Sequence, residues 1–109
     1  MQSAINIFDA DGWESSHHYP AGTMQKVLRD EAGGKTILLR LPAGFRMSSH
    51  AHVAAEQHIV LEGSYASEGR IYAKGSYRLI QGHEDHGPFE SEKGALILVV
   101  YDPLTSSME

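Results

Sequence analysis

Two histidines separated by a single residue, His50 and His52, are followed by a carboxylate at Glu56. In an extended strand both imidazoles point to the same face, because side chains alternate along a strand. Two imidazoles on one face with a carboxylate nearby provide three parts of a site for a divalent metal. The pattern lies between Gly44 and Gly63, and this bracketing favours a metal site over a solvated strand end.

A second segment supplies a further candidate donor. A predicted strand, Ser76 to Ile80, ends at Gln81-Gly82, and the chain then turns and presents His86 before the next strand. Because the chain contains no cysteine, any bound metal must be held by nitrogen and oxygen atoms.

These segments resemble the two motifs of the cupin superfamily, a group of small β-barrels. The first motif places a glycine, a His-x-His pair, a glutamate and a second glycine at set spacings. The chain matches all of these positions, at Gly44, His50, His52, Glu56 and Gly63.

The second cupin motif is only partly present. Gly75 and His86 keep their places, whereas Gln81, His83 and Glu90 stand where the motif has proline, glycine and asparagine. Residues 39–44 and 94–99 look like one branch of the superfamily. That branch includes the zinc-binding cupin domain of ChrR-type anti-sigma factors and dihydroxyacetophenone dioxygenase.

The resemblance implies that His50, His52, Glu56 and His86 ligate one divalent transition metal. Three imidazoles and one carboxylate suit Fe, Mn, Ni, Co or Zn better than Ca or Mg. A six-coordinate ion would keep positions open for substrate, whereas a tetrahedral zinc would be filled by the four protein ligands.

Other candidate residues have weaker support. His58 lies two residues after Glu56 and shares its face of the strand. It is a candidate for supporting the metal site or for proton transfer, and the alternative is an imidazole packed in the core. Arg40 and Arg46 are candidate anchors for a substrate carboxylate. No role is assigned to His17, His18 or His83.

Short apolar runs punctuated by glycine and proline predict an all-β sandwich or barrel. Helix is limited to a possible turn or two at Asp30–Gly34 and around Ala10–Ser16. The resemblance implies one small cupin β-barrel, a jelly roll or double-stranded β-helix, in a single domain over 1–109 with the barrel at about 36–101. The predicted strands are Met24–Leu28, Thr36–Leu41, Gln57–Leu61, Arg70–Tyr72, Ser76–Ile80 and Ala95–Tyr101.

Composition excludes several classes of function. A formal net charge of −5 argues against nucleic-acid binding and gives no support to anionic-membrane binding. The N-terminus lacks the pattern of a signal peptide, so a cytoplasmic protein is expected. A homodimer is expected as well, because a small open barrel has strand edges to protect.

Three functions remain open, since a fold of this kind does not choose one. The favoured hypothesis is a dioxygenase-like enzyme that acts on a small oxygen-rich substrate chelated to the metal. The alternatives are a metal-dependent isomerase, epimerase or lyase, and a sensor-like module that binds metal or ligand without catalysis.

Overall fold

The computed structural model of the chain describes residues 4–48, 55–84 and 87–102. Within these ranges the regular structure is entirely antiparallel β, and no helix there could cross a membrane. The nine strands are β1 Glu14–Ser15, β2 Met24–Glu31, β3 Gly34–Leu41, β4 Phe45–Met47, β5 Glu56–Ser67, β6 Arg70–Ala73, β7 Tyr77–Ile80, β8 Phe89–Ser91 and β9 Ala95–Tyr101.

The strands form one sheet that curls into a half-barrel, which confirms the predicted fold class. Its order is β1-β2-β3-β9-β5-β8-β4, with β6 and β7 also paired to β5. The first part of β5 pairs with β7 and β9, and its last part pairs with β6 and β8. This strand therefore joins the two sides of the barrel.

Two hairpins turn through residue pairs in which both members have positive φ, at Ala32-Gly33 and Glu68-Gly69. Positive φ at both central residues is the signature of the type I′ turn, whose twist matches that of the flanking strands. The first turn explains why the possible helical turn at Asp30–Gly34 is wrong. The other candidate, Ala10–Ser16, contains the short strand β1 instead.

The core lies on the inner face of the half-barrel. Paired positions on β3, β9 and β5 bring side chains from three strands into one apolar layer, as in the row Leu39, Ile97 and Val60. Phe45 and Phe89 close the layer from β4 and β8. Ile37, Leu39 and Leu41 of β3 share this inner face, because side chains two residues apart on a strand point the same way.

A bulge in β5 changes which residues face the core. Glu56, His58 and Val60 are buried in the first half of the strand, whereas Tyr65 is buried in the second half. The change from even to odd positions coincides with a register shift between Val60 and Glu62 in the pairing with β9. One extra residue in a strand reverses the face of every side chain that follows it. The bulge therefore turns Tyr65 into the barrel.

Gly63, the last residue of the first motif, packs directly against the backbone of another strand connection. Its φ is +70°, and a Cβ atom at this position would collide with the carbonyl oxygen of Gly94. Gly94 is similarly restricted, because a Cβ atom there would lie 2.8 Å from the carbonyl oxygen of Leu41. Glycine is thus needed at position 63 for close backbone contact as well as for its φ.

We expect Gly63→Ala to destabilise the protein much more than Gly69→Ala. Gly69 has a similar φ of +80°, but a Cβ atom there would meet nothing within 4 Å. The control should lose about 1 kcal/mol from left-handed strain alone. Gly63→Ala should lose about 3 kcal/mol, because the collision adds to that strain. Urea unfolding followed by circular dichroism measures both values, and equal losses would contradict the proposed contact.

Candidate functional site

A carboxylate, an imidazole and a phenol form a continuous hydrogen-bonded chain inside the half-barrel. Glu56 and His58, on the same face of β5, are 2% and 6% exposed, and Tyr65 is 1% exposed. The Nε2 atom of His58 lies 2.7 Å from Oε1 of Glu56, and its Nδ1 atom lies 2.8 Å from the hydroxyl of Tyr65. Since buried polar groups need partners, both ring nitrogens of His58 are satisfied by this arrangement.

The direction of these hydrogen bonds follows from the chemistry of the groups. An ionised carboxylate only accepts hydrogen bonds, so Nε2–H of His58 donates to Glu56, and Nδ1 of the neutral imidazole then accepts from the hydroxyl of Tyr65. The tautomer is thereby assigned from the network. Burial raises the pKa of Tyr65, and the nearby guanidinium of Arg78 opposes part of that rise. The phenol therefore keeps the proton that it donates to His58.

Aromatic rings pack against these hydrogen-bonded side chains from one side. The ring of Tyr65 stacks on Tyr72 with centroids 5.2 Å apart and packs against Phe89 at 5.7 Å. The guanidinium carbon of Arg78 lies 4.7 Å from the centre of the Tyr72 ring. Close aromatic and cation–π contacts restrict the side-chain rotamers, so His58 and Tyr65 are held rigidly.

Two cavities adjoin the hydrogen-bonded side chains of Glu56, His58 and Tyr65. The inner one, of about 20 Å³, is lined by Glu56, His58 and Tyr65 among others, and has room for a single water molecule. The outer one, of about 600 Å³, falls within the range of small-molecule sites. Tyr19 and Met47 line both cavities, so they form the boundary between them.

The hydroxyls of Tyr19 and Tyr101 lie 3.0 Å apart and form a hydrogen-bonded pair at this boundary. Burial raises the pKa of both phenols, and the negative charge of Glu56 raises each further. Both hydroxyls therefore stay protonated, and they lie close enough to Glu56 to respond to its charge.

Of the four predicted metal ligands, Glu56 lies within the described ranges. His50, His52 and His86 lie outside the described residues, so the ligand set stays a prediction. Among residues 4–48, 55–84 and 87–102, no three histidine or acidic side chains come together as a possible metal site. The structure therefore bears on the predicted metal site through the surroundings of Glu56.

The two arginines predicted as substrate anchors lie on the outer face. Arg46 forms an ion pair with Glu90 across β4 and β8 at 2.7 Å, and both side chains are exposed. The guanidinium carbon of Arg40 lies 5.1 Å from the centre of the Trp13 ring. Neither arginine lines the two cavities near Glu56.

The three histidines without an assigned role are all exposed. His18 lines the outer cavity, and His83 occupies a turn after β7 with a φ of +64°. His17 contributes to neither cavity.

Tyr65 is a member of the site that the sequence analysis did not identify. The predicted strand ended at Leu61, whereas β5 continues through Gly63 to Ser67, and a glycine inside a strand often marks a bulge. A bulge there would have placed Tyr65 on the face of Glu56 and His58. Tyr19 and Tyr101 carried no local signal, since their pairing depends on the fold.

We expect Tyr65→Phe to lower the free energy of unfolding by about 1–3 kcal/mol, because Nδ1 of buried His58 loses its donor. Tyr72→Phe is the matched control, since the Tyr72 hydroxyl makes no hydrogen bond to the described residues and the ring stacking is retained. It should change stability by less than about 0.5 kcal/mol. Urea unfolding measures both variants, and equal effects would exclude a structural role for the His58–Tyr65 hydrogen bond.

Stability should fall as the pH rises above about 10, the pKa of an unperturbed tyrosine. Tyr19, Tyr65 and Tyr101 have raised pKa values in the folded protein. Below this pH both states are protonated and stability is complete. Above it, the unfolded chain releases protons that the folded chain retains, which favours unfolding.

The double variant Tyr19→Phe/Tyr101→Phe should therefore lose less stability than the wild type between about pH 9 and 11. Urea unfolding at a series of pH values, followed by Trp13 fluorescence, measures the difference. If the free energy of unfolding falls equally with pH in the two proteins, the raised pKa values of Tyr19 and Tyr101 are refuted.

Solved structures of low sequence identity share the fold. An acetylacetone dioxygenase from Acinetobacter johnsonii aligns with a TM-score of 0.78 and 13% identity, over 100% of this chain and 82% of that chain. An RmlC-like cupin from Shewanella frigidimarina aligns with a TM-score of 0.67 and 17% identity, over 87% and 98% of the two chains.

A third structure, Rhodobacter sphaeroides SigE in complex with the anti-sigma factor ChrR, aligns with a TM-score of 0.70 and 22% identity. The alignment covers 83% of this chain but 49% of that chain, so the present chain spans about half of it. At these identities the likeness establishes the fold alone.

No curated protein sequence matches the chain significantly. The family model of the ChrR cupin-like domain, however, matches residues 2–105, which is nearly the whole sequence. The cupin resemblance carried by the two motifs is thus confirmed, and the chain belongs to the ChrR cupin-like domain family.

Proposed function

We propose that this protein is a mononuclear metal-binding cupin that acts as a small oxygenase on an oxygen-rich organic substrate. The observation that carries the proposal is the buried carboxylate of Glu56, which His58 holds by a 2.7 Å hydrogen bond. The fold shared with the acetylacetone dioxygenase from Acinetobacter johnsonii supports the same reaction class.

The hydrogen-bonded carboxylate of Glu56 fits the role of a metal ligand in this proposal. Carboxylates that ligate metals are usually hydrogen-bonded by a neighbouring group, as Glu56 is by His58. Together with His50, His52 and His86, Glu56 would provide three nitrogens and one oxygen for Fe, Mn, Ni, Co or Zn. When bound, such an ion supplies Lewis acidity and, in the case of iron, the redox chemistry of O₂ activation.

The described residues would prepare the site in three ways. His58 orients the carboxylate of Glu56, and the Tyr65 hydroxyl holds His58 in the tautomer that donates to it. Phe45 and Phe89 line the inner cavity and limit its access to water. The outer cavity provides the space that an organic substrate requires.

A second candidate function is a metal- or ligand-binding module without catalysis. The match to the ChrR cupin-like domain family favours it, because ChrR is named as an anti-sigma factor. The inner cavity of about 20 Å³ is also too small for any organic ligand unless side chains move.

The double variant His50→Ala/His52→Ala should lose stoichiometric metal, because two of the four proposed donors are removed. His17→Ala/His83→Ala is the matched control, since both histidines are exposed and lie outside the two cavities. Elemental analysis of anaerobically purified protein, with folding checked by circular dichroism, measures the metal content. Wild-type metal content in the first variant would sink the ligand assignment.

Oxygen uptake then tests the reaction class in protein loaded with Fe(II). Uptake with diketones, phenols or keto acids supports the oxygenase. Turnover without oxygen in protein loaded with zinc or manganese would identify an isomerase or lyase instead. Stoichiometric metal with no turnover of any of these compounds would favour the binding module.

A further inference from the structure

Four polar side chains lie in one row across the inner face of the sheet. In the strand register, Glu56 is opposite Tyr101, Tyr101 is opposite Lys35, and Lys35 is opposite Asp30. Directly paired residues on neighbouring strands point to the same face. Tyr101, Lys35 and Asp30 all line the outer cavity, whereas Glu56 lines the inner one.

The adjacent row is far less polar. There His58 is opposite Val99, and Val99 is opposite Ile37, so apolar side chains begin one step further along the strands. The packed core therefore ends at the row of His58, Val99 and Ile37. In the polar row beside it, Tyr101, Lys35 and Asp30 line the outer cavity instead.

Lys35 is the cationic member of the row. It is partly buried, and it forms no hydrogen bond or ion pair with any residue in the described ranges. Its cross-strand neighbour Asp30 is exposed and does not come within ion-pair distance of it. A partly buried ammonium group that lines a cavity without a protein partner is suited to binding an anionic group of a ligand.

The remaining wall of the cavity suits a carbon skeleton that carries oxygen. Ile37 and Met47 supply apolar surface, and the hydroxyls of Tyr19 and Tyr101 supply hydrogen-bonding groups. Two strand spacings separate the backbones of Lys35 and Glu56, a distance of about 10 Å. A molecule of a few carbon atoms can therefore reach from Lys35 towards Tyr101 and Glu56.

We infer that the outer cavity binds a small organic acid whose carboxylate pairs with Lys35 and whose other oxygen groups face Tyr19 and Tyr101. This inference names the substrate class of the site and rests on the proposed function. Asp30 borders the same space, so its negative charge weakens the binding of acids.

Titrations followed by amide chemical shifts in ¹⁵N-labelled protein test the inference. The probes are pyruvate and 2-oxoglutarate, their methyl esters and inorganic phosphate. At least one acid should bind the wild type, with affinity reduced about tenfold or more in Lys35→Met, because a charge-assisted hydrogen bond is lost. Lys35→Arg should retain binding, and Asp30→Asn should strengthen it.

The inference would be overturned if neither acid binds, or if wild type and Lys35→Met bind the acid equally well. It would also be overturned if the methyl esters or inorganic phosphate bind as tightly as the acids. Urea unfolding of each variant shows whether it is folded, and Lys35→Gln, which also removes the charge, keeps the test valid should Lys35→Met be unstable.

The titration uses neither metal content nor turnover, so its failure is distinct from failure of the proposed function. Acid binding that depends on Lys35, in protein without metal or oxygen uptake, would retain the acid site and reject the oxygenase. Oxygen uptake with neutral diketones, in protein that binds no acid, would retain the oxygenase and reject the acid site.

Discussion

The hydrogen bond from His58 to Glu56 is the interaction on which the rest of the candidate site depends. It holds a negatively charged group in the interior of a small barrel, where charge is costly unless it is compensated. The carboxylate sets the direction of this bond, and the second ring nitrogen of the neutral imidazole is satisfied by the hydroxyl of Tyr65. A metal site at Glu56 would therefore begin with a carboxylate whose orientation the fold has already fixed.

This arrangement requires an irregular strand. A regular β5 would place Tyr65 on the outside, and Nδ1 of His58 would lose its donor in the core. The bulge avoids that result, and the backbone contact between Gly63 and Gly94 is part of the same segment of the fold. The second glycine of the first motif thus serves the backbone that delivers Tyr65 to the site.

Part of the fold and site could be predicted from the sequence. Strand alternation placed His58 beside Glu56, and the apolar run of β9 was predicted with both of its ends. The strands β4 and β8 were missed because three residues give too little periodicity to recognise. Tyr65 was missed because the predicted strand ended at Leu61, and regular alternation continued from Glu56 would have placed Tyr65 on the outer face.

The charged residues of β3 show why the acid site could not be predicted. Ile37, Leu38 and Leu39 are all buried, so the strand has no alternation from which its inner face could be identified. Arg40 was proposed as a substrate anchor on chemistry alone, whereas the register places it on the outer face and Lys35 at the cavity. Pairing with β9, a contact distant in sequence, decides between the two faces.

The bulge also ties the length of β5 to the regularity of the strand. Deleting Leu61 would remove the extra residue, so it would restore regular alternation while Tyr65 and Ser67 keep the inner face. Ser64 and Ala66 would stay on the outer face. A relative with a single-residue gap in the middle of β5 can thus have the same interior in a barrel without the bulge.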